Sequence, residues 1–225
     1  MSFPPPIRHE LAGWLLLWAD LEDTGMAPEP LARLREETAA RVRASHTLDS
    51  LATHPTVSAL RRLFRQAGCD PTRYRPSSEA LLRRLLKGEA MPAIHPLVDV
   101  NNCLSAELAV PACVMNVTAL RPPFLFRAGR PGESYLSLRG PFNLEGKPLL
   151  VDANGPVDAP ITGSERVKVS PETRRAWLVA YAPAAALGPD CLAGALQAIA
   201  TAVPGLAVHT LGFSSDSGAH PPGTS

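Results

Sequence analysis

At Pro111 this sequence changes its period, and that change limits the folds open to it. Upstream, apolar residues recur at helical spacing. Val57, Leu60, Leu63 and Phe64 share one face of a helix that opens at Thr53-His54-Pro55 and stops at Gly68. Leu81, Leu82, Leu85 and Leu86 form the buried stripe of another, with Arg83 and Arg84 facing out, Ser77 or Ser78 as its cap and Gly88 as its stop. A more polar helix runs from Pro28 to about Ala44, where Glu29 early and Arg41 and Arg43 late suit the helix dipole. Downstream of Pro111, short runs are separated by Gly, Pro, Asn and Asp: Phe124 to Arg127, Ser134 to Leu138, Pro148 to Val151, Ala176 to Tyr181. That is the texture of strands and turns, and Asp152-Ala153-Asn154-Gly155 has the composition of a hairpin turn. Asp190 to Ala202 reads as a closing amphipathic helix. Helices first, strands next and a helix near the end predict an α+β fold, with a largely antiparallel or mixed sheet and flanking helices.

One stretch fits two elements equally. Leu11 to Leu21 contains Trp14-Leu15-Leu16-Leu17-Trp18, and an unbroken apolar run suits a buried strand or a short core helix. Leu97 to Leu108, after Pro96, is apolar with interspersed Asn and Ser. The 225 residues suit a single domain, taken as residues 8–213, with residues 1–7 flexible and the Ser/Gly/Pro-rich residues 214–225 disordered. The 24 prolines exceed twice the usual share of about 5%. They favour turns and short elements over long helices.

The formal net charge of +1 offers no global basic field for nucleic acid, so any RNA contact must be local. Cys69, Cys103, Cys113 and Cys191 form no C-x-x-C pair. They read as buried free thiols of a reducing compartment, with no metal and no cofactor expected. Met1-Ser2-Phe3-Pro4-Pro5-Pro6 lacks the basic start and apolar run of a signal peptide, and the longest apolar run is too short to span a bilayer. The expectation is a cytoplasmic protein with no membrane partner.

The segment Val98 to Asn116 resembles part of the phenylalanyl-tRNA synthetase β subunit. The pattern there is V-D-x-x-N, then E-L, then G-Q-P-x-H-A-F-D, and this chain retains Val98, Asp99, Asn102, Glu107, Leu108 and Pro111. Upstream, Ser78 with Leu82-Arg83-Arg84-Leu85 looks like that subunit's S-P-x-W-L-x-x-x-L helix. Downstream, Gly132-Glu133 with Leu136 and Leu138-Arg139-Gly140 looks like G-E-x-x-x-x-L-x-G, and Ile161-Thr162-Gly163-Ser164-Glu165 is similar to I-M-G-G-E. The likeness covers about Ser77 to Tyr181. It is stronger to short free-standing bacterial relatives, through Asp70 to Arg84 and Ser164 to Arg175.

The resemblance implies an editing-domain fold, a pocket for an aminoacyl group and hydrolysis of the ester of a mischarged tRNA. The synthetase domain removes tyrosine wrongly attached to tRNA(Phe). Carried over, the substrate-binding residues are Asn102, Pro111, Cys113, Asn116, Gly163, Ser164 and Glu165. Glu165 is the expected reader of a substrate hydroxyl, since leaving such a carboxylate unpaired rejects apolar analogues. Arg73, Arg75, Arg84, Arg174 and Arg175 are the candidate contacts for a tRNA acceptor end, through phosphates. His95 is placed to reach such a pocket. The pattern also departs. Its His becomes Cys113 and its Asp becomes Asn116, which hydrogen-bonds but carries no charge. The apolar flanks of Cys113 argue for an inert thiol. An aromatic run of the free-standing relatives is replaced by Asp158-Ala159-Pro160-Ile161. The expected ligands are therefore an amino-acid-like small molecule and a tRNA end. The alternative is a non-catalytic amino-acid, small-metabolite or RNA binding module that kept the pocket. No ATP-binding or anticodon-reading motif is visible, so a complete ligase is excluded.

Overall fold

The computed structural model describes residues 7–216 and 218–220. In chain order its elements are β1 (Ile7–His9), β2 (Trp14–Asp23), α1 (Pro28–Ser45), α2 (Pro55–Gln66), α3 (Ser77–Leu86) and α4 (Pro96–Leu108). The strand-rich part follows: β3 (Ala112–Asn116), β4 (Phe124–Ala128), β5 (Ser134–Ser137), β6 (Gly140–Asn143), β7 (Pro148–Asp152), β8 (Gly155–Ala159), β9 (Thr162–Gly163) and β10 (Arg175–Pro183). The chain closes with α5 (Pro189–Ala202), β11 (Leu206–Ser215) and β12 (Gly218–His220). The class is α+β. One sheet has the order β12-β11-β2-β10-β3 and is antiparallel; the other, β1-β4-β7-β8-β9, is mixed through its parallel β1–β4 pair. β5 and β6 make a separate ribbon.

The run from Trp14 to Trp18 is strand, and its position explains its lack of period. β2 lies between β11 and β10, and both of its faces are covered. Leu15, Leu17, Ala19 and Leu21 point into a core shared with α1, α3, α4 and α5. Trp14, Leu16 and Trp18 point into a second core, shared with α2 and the mixed sheet. β10 divides the same way, Leu178 and Ala180 to one side, Trp177, Val179 and Tyr181 to the other. The molecule is thus three layers, with the antiparallel sheet as the middle one. Each fully buried large side chain contributes about 1.5–3 kcal/mol.

Proline shapes the helices by starting them. Pro28, Pro55, Pro96 and Pro189 each occupy a first helical position, where the missing N–H breaks no bond. This corrects the expectation of short helices, since α1 has 18 residues. Ser77 and Ser78 are also corrected: Pro76 precedes the helix and no side chain caps it. Ser78 is buried instead and donates to the Ala109 carbonyl, at 3.1 Å. Within the stretch expected to be a disordered tail, β11 runs to Ser215 and β12 spans Gly218–His220. Residues 1–6 and 221–225 lie outside the described residues. Cys69 and Cys103 are buried, but Cys191 is exposed and Cys113 half-buried.

A tight corner joins α4 to β3 and sets the site. Ala109 takes a left-handed conformation, with φ of 56°. Ser105 Oγ donates to the Val110 carbonyl at 2.7 Å, and the Tyr181 amide donates to the Pro111 carbonyl at 2.8 Å. One side-chain and one backbone donor thus satisfy the two carbonyls of the corner beyond the helix. The corner turns the chain into β3, beside β10.

Candidate functional site

A cavity of about 460 Å³ opens between α3 and α4 on one side and β3, β8, β9 and the turn after β5 on the other. Its wall is mostly apolar, with Leu81, Val98, Val114 and Ile161 among the residues that line it. Asn101, Asn102, Cys113 and Asp158 supply polar atoms, and Arg84, Arg139 and Lys168 supply cations. Size and character are those of a small-molecule site. Ile94 and Leu138 line the cavity yet are 69% and 54% exposed, an apolar rim open to a partner.

The α4 face sets the amides. Asp99 pins this helix by pairing with Arg35 of α1 at 2.5 Å and accepting the Ile94 amide at 2.9 Å. Asn101 Nδ2 donates to the Ala112 carbonyl at 3.2 Å, which ties α4 to β3 and fixes the amide's orientation. Asn101 Oδ1 is left buried with no partner. Across the cavity, Tyr135 Oη donates to the Thr162 carbonyl, and the Leu138 amide donates to the Gly163 carbonyl at 3.1 Å. The β5–β6 ribbon is thereby held against β9, and it carries Leu138 and Arg139 to the rim.

Of the residues expected from the sequence, Asn102, Cys113 and Gly163 line the cavity. The other four are not part of its lining. Pro111 is buried in the α4–β3 corner. Asn116 folds back on its own turn, accepting from the Thr118 amide at 3.0 Å. Ser164 is buried and accepts the Arg166 amide at 3.2 Å. Glu165 pairs with Lys168, and Lys168 reaches the cavity. His95 caps α4, its Nδ1 accepting the Leu97 amide at 3.2 Å.

The arginines divide as well. Arg75 stands 3.3 Å from buried Glu79, Arg174 3.5 Å from Asp23, and Arg175 pairs with Asp20. Arg73 is exposed and lies over the Tyr74 ring. Arg84 pairs with Glu89 at 2.7 Å and also lines the cavity. Arg139 and Lys168 stand at the same cavity and were not among the cationic candidates.

Asp158 was missed altogether. It follows Val157 on β8 and is 1% exposed. Its Oδ2 accepts the Tyr181 hydroxyl at 2.6 Å, and its Oδ1 has no partner. Burial pushes this carboxyl up to about 7, against the bonds from Tyr181 and Cys113 that favour the charged form. The Cys113 thiol beside it is pushed well above its ordinary value, first by burial and then by Asp158. Burial and Asp158 likewise raise Tyr135 and Tyr181. A buried carboxylate amid groups that stay protonated is poised to receive a donor, not to generate a thiolate.

Residues 59–187 match the family model described as the B3/4 domain. Among solved structures, the chain is similar to an N-terminal fragment of the phenylalanyl-tRNA synthetase β subunit from Pyrococcus horikoshii. Identity is 14% and the TM-score 0.41, over 83% of this chain and 43% of that one. The chain therefore spans under half the length of that structure. No curated protein matches.

Proposed function

Because this chain belongs to the B3/4 domain family, we propose that its cavity receives the aminoacyl group of a charged tRNA and that the protein hydrolyses that ester in trans. The observation that carries the reading is the composition of the cavity. About 460 Å³, walled by apolar side chains and edged by amides and a carboxylate, suits one amino-acid side chain with its α-amine. Asn102, Cys113 and Gly163 form the wall nearest the substrate.

The rim supports the nucleic-acid half of the proposal. Arg84, Arg139 and Lys168 are exposed cations at the mouth, and Ile94 and Leu138 are exposed apolar side chains beside them. Such a rim can hold terminal phosphates and stack on an unpaired base. The exposed Arg84–Glu89 and Lys168–Glu165 pairs are weak and exchangeable, so their cations can turn to phosphate. Arg75, Arg174 and Arg175 hold the fold through buried carboxylates, and Arg73 is left as the outlying phosphate contact.

The deciding measurement is deacylation of a panel of mischarged tRNAs by the purified protein. The expected result is accelerated release of the amino acid from at least one of them, beyond its spontaneous hydrolysis. Release from none, with amino-acid amides still binding the cavity, would replace hydrolase by binding module.

A further inference from the structure

Six carboxylates among the described residues are buried. Five of them face an arginine: Asp20 with Arg175, Asp23 with Arg174, Glu79 with Arg61, Asp99 with Arg35, and Asp152 with Arg166. That is the ordinary requirement for burying a charge. Asp158 breaks the pattern. Its one strong partner is the neutral Tyr181 hydroxyl; the Cys113 thiol and the Ala159 amide approach it with poorer geometry, Oδ1 is left without a well-formed bond, and no cation faces the group. The Cys113 thiol is adjacent but is a weak donor, with its sulfur 3.7 Å from the Val114 carbonyl as its own acceptor.

The unpaired oxygen borders the cavity. Asp158 lines it, and so does Gly163, whose missing side chain leaves the approach open. A methyl group at Gly163 would sit 3.6 Å from Asp158 Oδ1, 3.5 Å from Cys113 Sγ and 3.7 Å from Leu138 Cδ1. Asn101 Oδ1, also buried and unpartnered, borders the same cavity. Two buried acceptors short of donors, one of them ionisable and without a countercharge, call for a ligand that brings several N–H donors and a positive charge.

We propose that Asp158, helped by Asn101, is the receptor for a primary ammonium group of the cavity's ligand. This deepens the functional reading above and rests on the same cavity. A primary ammonium carries three donors and one charge. It satisfies Oδ1 and Asn101 Oδ1 together and supplies the countercharge that Arg supplies at the other five sites. An aminoacyl group offers such an ammonium at its α carbon, and a basic amino acid offers a second on its side chain.

The test is titration calorimetry with two amides that separate these sources: phenylalaninamide, whose ammonium is at the α carbon, and Nα-acetyl-lysine amide, whose ammonium is on the side chain. Nα-acetyl-phenylalaninamide is the uncharged control. At least one ammonium probe should bind ten times more tightly than the control. Asp158→Asn keeps an acceptor for Tyr181 and removes the charge, so it should lose at least that factor. Gly163→Ala fills the approach at ordinary contact distance and should do the same with an unchanged melting temperature. Affinity for Nα-acetyl-lysine amide, whose ammonium keeps its proton throughout, should rise from pH 6 to pH 8 as the carboxyl ionises, while the facing Tyr181, Tyr135 and Cys113 stay protonated; affinity for phenylalaninamide should pass through a maximum, because its α-amine loses its proton in the same range. Equal affinity for probes and control, or full binding by Asp158→Asn, overturns the proposal. The two readings separate cleanly. Asp158-dependent ammonium binding with no deacylation removes the hydrolase and keeps the receptor. Deacylation unaffected by Asp158→Asn keeps the hydrolase and removes the receptor.

Discussion

Asp158 has a consequence for stability as well as for binding. Its carboxyl is pushed up to about 7 in the folded protein, against an ordinary value of 3.8 when exposed. The folded state therefore holds this proton more tightly. Its contribution is most favourable below about pH 4 and is lost as pH rises through 7. Asp158→Asn should accordingly stabilise the ligand-free protein at pH 8, by about 1–3 kcal/mol for a buried charge given only one hydrogen bond. The gain should be smaller at pH 5 and approach zero only below about pH 4. Paired urea melts at the two pH values measure it, and a variant less stable than wild type at pH 8 would show that the carboxylate is satisfied within the fold. Cys113 gives a second prediction at this scale. Its thiol is raised by burial, whereas Cys191 is exposed on α5. Each unit of elevation costs a factor of ten in thiolate. Iodoacetamide at pH 8, read by peptide mass spectrometry, should label Cys191 at least tenfold faster. Faster labelling of Cys113 would revive it as a nucleophile. Neither residue's environment was visible in the chain order. Asp158-Ala159-Pro160 has the composition of a turn, and the burial of Asp158 comes from Tyr181 on β10 and Cys113 on β3, which sequence spacing does not relate.

At the scale of elements, sequence reasoning worked where an element meets solvent on one face or is closed off by turn residues. The apolar stripes of α2 and α3 and the strand runs that became β4, β7 and β10 carry a period or a punctuation because each is bounded by water or by a turn. β2 carries neither, because both faces are covered, and so strand and helix stayed equal until its neighbours were known. The serines before α3 were misread for a related reason. A serine beside a helix start suits a cap, but Ser78 is taken up by the Ala109 carbonyl across the α3–α4 contact. Asn102 was singled out through the family resemblance, and α4 places Asn101 and Asn102 at the cavity. Glu79 makes a prediction for α3. Its side chain is fully buried, and Arg61 and Arg83 donate to it at 2.6 and 3.1 Å. Burial alone would raise its carboxyl, but the bonds from Arg61 and Arg83 outweigh burial and hold it below the usual range. Its contribution is therefore present above pH about 4.5 and is lost as pH falls. Glu79→Ala should destabilise the protein by about 2–4 kcal/mol, below the range for a fully enclosed pair because its arginines are partly exposed. Chemical denaturation at pH 7 tests the size, and the difference from wild type should shrink as pH falls below about 4.5.

At the scale of the molecule, the matched family segment and the folded unit are different lengths of chain. Residues 59–187 contain most of α2, then α3, α4 and every strand from β3 to β10, and so contain the whole cavity lining. They omit β2, which lies between β10 and β11 at the centre of the antiparallel sheet. Without it, β10 loses nine paired residues and keeps only β3 beside it. The odd-numbered face of β2 and the apolar side of α5, with Leu192, Leu196 and Ile199, also leave the helical core. On the other side Trp14, Leu16 and Trp18 leave the second core, where Trp14 packs edge-on to Phe126 at 5.2 Å. Seven or more large buried side chains at about 1.5–3 kcal/mol each exceed the roughly 5–15 kcal/mol by which a domain is stable. The segment 59–187 expressed alone should therefore be unfolded or aggregated, with poor amide dispersion in a proton–nitrogen NMR spectrum and no cooperative melt. Residues 7–216 should give a dispersed spectrum and a single transition. A cooperatively folded 59–187 fragment would mean that the middle sheet forms without its central strand. The cavity would then be a property of the family segment alone, and the flanking strands would be additions to it.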